Sequence, residues 1–122
     1  MEKQERVLVM GASTNPTRYS YLATQSLLKH GHEVVLYGRK SAEVSGIPIL
    51  TSLEGIKNID TVTLYLNPTN QKPYYDFLIE LAPKRIIFNP GTENAELMEL
   101  AAANGIANEA ACTLVMLSVG TY

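Results

Sequence analysis

The sequence contains one cysteine and two histidines among 122 residues, and no tryptophan. Cys112 by itself forms neither an internal disulfide nor the thiolate cluster of a zinc site. His30 and His32 are too few and too close in position to complete a metal site. These absences predict a protein without a metal centre and without a disulfide framework.

The chain also lacks a net excess of charge and a long hydrophobic run. Ten basic and twelve acidic residues leave a formal net charge of -2, so there is no basic footprint for DNA or RNA. No apolar run reaches the roughly 18 residues of a membrane span, and residues 1–4 are polar and charged, unlike a signal peptide. We therefore expect a cytoplasmic protein with no nucleic-acid or membrane partner.

The length and composition that are present are typical of one globular domain. Apolar residues make up 46% of the chain and charged residues 18%, which indicates a sizeable core rather than disorder. Domains cluster near roughly 100 to 150 residues. The 122 residues therefore predict one domain over residues 1–122.

Short apolar runs alternate with helical segments along the whole chain. The predicted strands are 6–10, 33–37, 47–50, 61–66, 85–88 and 106–108. Their nearly unbroken apolar character is typical of parallel strands that are buried on both faces. Pro48 cannot donate a hydrogen bond to a neighbouring strand, so we expect strand 47–50 at an edge of the sheet.

Helices are predicted over 20–30, 71–81 and 94–104, with a short turn near 52–56 and a closing helix over 113–117. Strands that alternate with helices require right-handed crossovers, which build a sheet with helices on both faces. We predict an α/β fold with a doubly wound, mostly parallel, Rossmann-like sheet of five or six strands in the order 3-2-1-4-5-6. Ligands of such sheets bind beyond the carboxyl ends of the strands, where the order reverses.

This rule divides the charged residues between the two edges of the sheet. Four cations follow strands and are expected at the ligand edge: Arg18, Arg39, Lys40 and Lys72. Cys112 also follows a strand, whereas His30 and His32 are expected at the opposite edge, so no Cys–His dyad can form within one subunit. The ligand edge should be more positive than the chain as a whole.

The first loop, Gly11-Ala12-Ser13-Thr14-Asn15-Pro16, leaves a buried strand and enters a helix. Helix amides and the helix dipole favour an anion there, and Arg18 can bind phosphate through two hydrogen bonds. Ser13 and Pro16 replace the second and third glycines of the dinucleotide fingerprint, which disfavours a standard NAD site. The alternative is a tight connection whose polar residues only cap the helix.

The second strand is followed by Arg39 and Lys40, where an NAD-binding protein carries an acidic residue. Two cations suit an additional ribose phosphate, as in NADP or coenzyme A (CoA). A solvated turn is the alternative interpretation of these two residues.

Two Asn-Pro loops follow the fourth and fifth strands, beginning at Asn67-Pro68 and Asn89-Pro90-Gly91. Their amides either hold the polar part of a ligand or cap the helices that follow. Glu93 is either a lone general base or a complement to a helix dipole. Tyrosines 65, 74 and 75 are candidates for adenine stacking, a subunit contact or the core. No serine has the context of a hydrolase nucleophile.

The run from Val9 to Tyr21, followed by a helix, Gly31-His32-Glu33-Val34 and a second strand, resembles the CoA-binding domain family. This is a small Rossmann-like module that also forms the amino-terminal part of the succinyl-CoA synthetase alpha subunit. The most specific part of the resemblance is Gly11-Ala12-Ser13 with Pro16, Arg18 and Ser20. The departure is at Tyr37-Gly38-Arg39-Lys40, where many members have Val-Asn-Pro. The synthetase's phosphohistidine lies in a second domain, so its ligase chemistry is not carried over.

The resemblance implies phosphate contacts at the first loop, an adenosine 3'-phosphate near Lys40 and pantetheine beside Asn67 and Pro68. The predicted cofactor-binding residues are Gly11, Ala12, Ser13, Asn15, Pro16, Arg18, Ser20, Arg39, Lys40, Asn67, Pro68 and Gly91. No residue is predicted to be catalytic or to bind a metal.

Three functions stay open at this point. The first is binding of CoA or an acyl-CoA without chemistry. The second is an NADP-binding, reductase-like module that uses Arg39 and Lys40. The third is a structural or regulatory homodimer with a vacant nucleotide pocket, with the three tyrosines at the contact.

Overall fold

A sheet of seven strands runs through the computed structural model, which describes residues 3–122. The strands are β1 Arg6–Met10, β2 Glu33–Tyr37, β3 Ala42–Val44, β4 Ile47–Leu50, β5 Thr61–Leu64, β6 Arg85–Phe88 and β7 Ala107–Ala110. The order is β3-β4-β2-β1-β5-β6-β7. All neighbours are parallel except β3 and β4.

Within residues 3–122, five α-helices connect or follow these strands. They are α1 Tyr19–Lys29, α2 Pro68–Gln71, α3 Tyr75–Leu81, α4 Ala95–Ala103 and α5 Thr113–Val119. A 3-10 turn, Lys72–Tyr74, joins α2 to α3. This turn interrupts the predicted helix 71–81. Pro73 lacks the N–H that would continue the α-helical hydrogen bonding.

The predicted fold class is confirmed, and the six predicted strands have the predicted relative order. The sheet has one strand more than expected, because β3 forms a hairpin with β4 through Ser45 and Gly46. Both turn residues have positive φ, 52° and 81°, which suits a tight hairpin. Of the three residues of β3, only Val44 is buried, so the hydrophobic pattern did not reveal the strand.

The prediction that strand 47–50 lies at an edge is wrong. It lies between β2 and β3. Two other predicted strands have shifted ends: 61–66 is shorter in the structure, and 106–108 corresponds to β7.

The core has two halves, one on each face of the sheet. Helices α3 and α4 and the segment before β5 cover one face, where Leu78 and Leu97 are fully buried in the same cluster as Leu8 and Met10. Helices α1 and α5 cover the other face, packed side by side. Because both faces are covered, β1 and β5 are buried along most of their length, and their carboxyl ends open at one edge.

Among residues 3–122, no helix combines the length and hydropathy that a membrane crossing requires.

Candidate functional site

The loops after β1 and β5 touch where the strand order reverses. Gly11 has a φ of 98°, and a side-chain carbon built on it would lie 3.1 Å from the carbonyl carbon and oxygen of Tyr65. The amide of Tyr65 in turn donates to the carbonyl of Met10 at 2.9 Å. Position 11 therefore favours glycine for two reasons: the positive φ strains other residues, and an added side-chain carbon would crowd the Tyr65 backbone.

The start of the first loop is also fixed by the end of β2. The amides of Gly11 and Ala12 both donate to the carbonyl oxygen of Tyr37, at 3.0 and 2.9 Å. The carbonyl oxygen of Ala12 would lie 2.7 Å from a side-chain carbon built on Gly38. The roles of Tyr37 and Gly38 were not predicted from the sequence, although a glycine directly after a buried strand is a signal of close backbone approach.

The middle of the loop is a turn held by its own side chains. The Ser13 hydroxyl accepts from the Asn15 amide at 3.0 Å, and the Asn15 Oδ1 accepts from the amide and hydroxyl of Thr17 at 3.0 and 2.7 Å. The Arg18 amide donates to the carbonyl of Asn15 at 3.0 Å. These hydrogen bonds shape the loop, and none of them caps α1.

Helix α1 begins without a side-chain cap. Arg18 occupies the N-cap position with an extended backbone (φ -81°, ψ 141°), and the first turn carries no acidic residue. The amides of the first turn, which includes the buried Ser20, therefore lack the usual side-chain acceptor. The positive end of the helix dipole is uncompensated, which is the local arrangement that favours an anion.

Cations at the two edges of the sheet differ in their pairing. Three at the amino-terminal edge pair with carboxylates: Arg6 with Glu33 at 2.7 Å, Lys84 with Asp60 at 3.3 Å and Arg85 with Glu5 at 3.5 Å. Within residues 3–122, no carboxylate pairs with the four cations that follow strands, Arg18, Arg39, Lys40 and Lys72. All four are exposed. Their charge is available to a ligand at the carboxyl edge.

The Asn-Pro loops use their side chains to shape the rim of this edge. Asn67 caps α2, accepting from the Asn70 amide at 2.8 Å, and Pro68 occupies the first turn of that helix. In the second loop, Gly91 has a φ of 91° and its amide donates to the Glu93 carboxylate at 2.8 Å. The Nδ2 group of the exposed Asn67 makes no hydrogen bond with the described chain.

Gln71 joins the two rim loops. Its fully buried side-chain amide donates to the carbonyls of Leu66 and Thr92, each at 2.8 Å. Its oxygen accepts from Asn94 at 2.9 Å, and Asn94 also donates to the Tyr75 hydroxyl at 2.8 Å. The role of Gln71 was not predicted from the sequence, because nothing distinguishes this glutamine from any other polar residue of a predicted helix.

A second buried network lies at the ends of β5 and β6. Asn89 donates to the Thr63 hydroxyl at 2.7 Å and to the Leu64 carbonyl at 2.9 Å, and it accepts from the Thr113 amide at 2.9 Å. The hydroxyls of Thr63 and Thr113 are 2.9 Å apart. Asn89 thus ties α5 to the sheet.

The tyrosines near the site are packed within the chain. The hydroxyls of Tyr37 and Tyr74 are 3.1 Å apart and their rings meet edge to face. Burial, together with that hydrogen bond, raises the pKa of Tyr37 to about 12, and burial raises the pKa of Tyr65 to about 12. These phenols stay neutral near pH 7, so they act as hydrogen-bonding or packing groups rather than as bases.

A shallow cleft of about 290 Å³ lies beyond the end of β4, on the side of the Arg39 and Lys40 turn. It is lined by Ser41, Pro48, Ile49, Leu50, Thr51, Ser52 and Glu54. Its volume lies just below the roughly 300 to 1,000 Å³ that pockets for drug-sized ligands span, so the cleft is too small to enclose a whole ligand of that size.

Within residues 3–122, no group of three His, Cys, Asp or Glu side chains could hold a metal ion. Cys112 is partly exposed directly before α5. His32 is buried near the opposite edge, where its Nδ1 accepts from the Glu5 amide at 3.0 Å. The histidine and the cysteine are therefore far apart in the fold.

The doubly wound sheet and the loops at its strand-order reversal define a Rossmann-like α/β protein. The model of the CoA binding domain family matches residues 5–118. This chain therefore belongs to the CoA-binding domain family, which confirms the resemblance seen in the sequence.

Solved structures agree on the fold. An uncharacterized protein with a solved crystal structure is 49% identical in sequence to this chain. The match covers 99% of this chain and 100% of that protein's chain, with a TM-score of 0.96. A protein from Thermus thermophilus is 19% identical over 98% of this chain and 91% of its own, with a TM-score of 0.87.

A longer protein contains the same fold as one part. The dinucleotide-forming acetyl-coenzyme A synthetase 1 of Ca. Korarchaeum cryptofilum is 18% identical, with a TM-score of 0.69. It matches 85% of this chain but only 25% of the synthetase. No curated protein matches the chain.

Proposed function

We propose that this protein is a single-domain cytoplasmic binder of CoA or an acyl-CoA and performs no chemistry by itself. The observation that carries the proposal is the uncapped start of α1 beside Arg18, in a chain of the CoA-binding domain family. The same short segment supplies the partial positive charge of the helix amides and the full positive charge of the Arg18 guanidinium. A diphosphate is a ligand that satisfies both.

The phosphates would lie against the loop 11–16 and the first turn of α1. The amides of Gly11 and Ala12 already donate to Tyr37, so these two residues would contribute shape and close approach. Arg18 and the free amides of the helix would make the hydrogen bonds. Ser13 and Asn15 would hold the turn that presents them.

The remainder of the ligand would extend to both sides of this point. Arg39 and Lys40 follow the adjacent strand β2, and they suit the adenosine 3'-phosphate. Asn67, Pro68 and Gly91 lie on the rim formed by the two Asn-Pro loops, and they suit the polar pantetheine arm.

A ligand panel tests this assignment. Thermal unfolding is followed with CoA, acetyl-CoA, dephospho-CoA or NADP, because a ligand that binds only the folded state raises the melting temperature. We expect stabilisation by CoA and acetyl-CoA, and weaker stabilisation by dephospho-CoA, which lacks the 3'-phosphate. Stabilisation by NADP but not by CoA would contradict the proposal and favour the NADP-binding alternative, which Arg39 and Lys40 also suit.

Arg18→Ala isolates the phosphate contact, and Lys29→Ala is its matched control. Each variant removes one exposed cation at an end of α1: Arg18 is the N-cap residue, and Lys29 is the last residue of the helix. Loss of a bidentate, charge-assisted contact should weaken CoA binding by about 10-fold or more. Equal CoA affinities in the two variants would refute the role of Arg18.

The non-catalytic part of the proposal is tested with a thiol reagent. Incubation of the protein with acetyl-CoA should release free CoA no faster than buffer alone. Turnover above that background would overturn this part and leave the binding assignment intact.

A further inference from the structure

The outer surface of α1 and α5 is apolar where a surface helix normally carries charge. Four of the five exposed large hydrophobic side chains among residues 3–122 lie there. They are Tyr19, 70% exposed, Leu22, 40%, Val115, 56%, and Val119, 63%. Because α1 and α5 pack side by side on one face of the sheet, we treat these four residues as one patch, the α1–α5 patch.

The composition of α1 and α5 also indicates an uncharged, apolar outer surface. The only charged residue of α1 is Lys29, and α5 has no charged residue. On α5, Met116 and Leu117 face the core while Val115 and Val119 face outward. A helix that is apolar on both sides is normally buried on both sides.

The opposite face of the molecule is built differently. The outer surfaces of α3 and α4 carry four exposed carboxylates, from Asp76, Glu80, Glu96 and Glu99. That face therefore has the ordinary amphipathic pattern. Its charged surface would not pack well against the uncharged, apolar patch of another copy.

We propose that the α1–α5 patch is the contact surface of a homodimer, in which two copies of this chain pack patch to patch across a two-fold axis. An uncharged surface leaves no charge unpaired when it meets itself, and isologous two-fold contacts are the commonest form of self-association. The patch exposes on the order of 400 Å², about half of the roughly 800 Å² that each partner contributes to a standard interface. The polar rim of such an interface would supply the remainder.

This proposed contact is a different surface from the one considered in the sequence analysis, where tyrosines 65, 74 and 75 would form the dimer contact. Tyr74 bonds to Tyr37 and Tyr75 to Asn94 within the chain, and Tyr65 is partly buried. None of the three is among the exposed large hydrophobic residues.

Sedimentation equilibrium over a concentration series tests the proposal. The wild-type chain should reach twice its monomer mass of 13.4 kDa. The double variant Val115→Lys/Val119→Lys places four like charges across the two-fold axis and should weaken dimerisation at least about 100-fold. Both valines are exposed, so the monomer should keep its fold, which circular dichroism verifies.

The control is Ala102→Lys/Ala103→Lys, which adds the same charge at exposed positions of α4. It should dimerise like the wild type. A wild-type protein that stays monomeric throughout would overturn the proposal. A dimer that survives the valine double variant, or that the control disrupts equally, would overturn it as well. Because these sedimentation experiments are run without CoA, their result tests the dimer separately from the proposed CoA binding.

Discussion

At the scale of the residue, Gly38 illustrates how one missing side chain shapes the candidate site. It is the one glycine among residues 3–122 without a positive φ, so torsional freedom does not explain it. The explanation is space, since a side-chain carbon there would lie 2.7 Å from the carbonyl oxygen of Ala12 and 3.1 Å from Ile49. The first of these neighbours is backbone of the loop that holds the proposed phosphate site.

Gly38→Ala should therefore displace that loop. We expect a loss of about 1–3 kcal/mol in the free energy of unfolding, as for other overpacked sites, together with several-fold weaker CoA binding. Gly55→Ala is the comparison, because Gly55 has a φ of 83° and nothing within 4 Å of the added carbon. That variant should lose stability through backbone strain alone and keep its CoA affinity, measured by calorimetry. If Gly38→Ala binds CoA as tightly as the wild type does, then Gly38 does not shape the CoA site and the prediction is wrong.

Asp60 sets part of the pH dependence of stability. Its Oδ2 accepts from the Arg6 amide at 2.8 Å, and the Lys84 ammonium lies 3.3 Å from Oδ1. The amide hydrogen bond outweighs partial burial and, with Lys84, holds the pKa of Asp60 below its ordinary value of 3.8. Because the folded-state pKa is the lower one, the ionised carboxylate stabilises the fold above the unfolded-state pKa and loses this effect as the pH falls through the folded-state value.

Asp60→Asn removes this titration. The variant should be less stable than the wild type at pH 7, and the difference between them should shrink below about pH 4. Urea unfolding from pH 7 to pH 3 measures both curves. A difference that stays constant over this range would show that Asp60 does not contribute as its contacts indicate.

At the scale of the element, the rim of the site depends on a bond between loops rather than on either loop alone. Gln71 on α2 holds the backbone of the loop before α2 and of the loop before α4 through one buried amide. Since the amide also accepts from Asn94, every polar atom of the side chain has a partner.

Gln71→Leu keeps the size of the side chain and removes these bonds. The buried carbonyl of Thr92, the partly buried carbonyl of Leu66 and the Asn94 amide would each lose a partner. We therefore expect a loss of about 2–4 kcal/mol in the free energy of unfolding. Asn104→Ala is the control, since the single bond from Asn104 to the Leu100 carbonyl is exposed. It should cost less than about 1 kcal/mol, because water replaces an exposed partner. Equal losses would contradict the bridging role.

At the N-cap of helix α1, the residue that would best stabilise the helix differs from the residue that would best bind a phosphate. Arg18 sits at the N-cap, where Ser, Thr, Asp or Asn would accept from the amides of the first turn. In α4 the same position is Asn94, whose oxygen accepts from the Leu97 amide at 3.3 Å.

Arg18→Ser should therefore stabilise the ligand-free protein by about 0.5–1 kcal/mol, because it adds the missing cap. The same change should weaken CoA binding by about 10-fold or more, because the cation is lost and an amide becomes occupied. Chemical denaturation without ligand and calorimetry with CoA give the two numbers. A variant that loses stability, or one that gains stability and keeps its affinity, would contradict this assignment.

At the scale of the whole molecule, the sheet and its ligand edge could be predicted from the sequence because their signals are local. Apolar runs such as 6–10 and 85–88 mark buried strands, and the crossover rule then orders them. The strand β3 could not be predicted, because two of its three residues are exposed. The hairpin that contains it also displaced strand 47–50 from the edge.

The candidate site was predictable only as far as its residues follow strands. The positions of Arg18, Arg39 and Lys40 came from that rule and from the family resemblance. The Tyr37 carbonyl and the Gln71 amide were not foreseeable, because each acts through a partner distant in sequence. Their importance is a property of the folded chain.

Isothermal titration of CoA into the wild-type protein tests the central proposal most directly. We predict saturable binding of one CoA per chain, weakened about 10-fold or more by Arg18→Ala and unchanged by Lys29→Ala. Absence of binding to the folded wild-type protein, or equal affinity in the two variants, would contradict the proposed phosphate site.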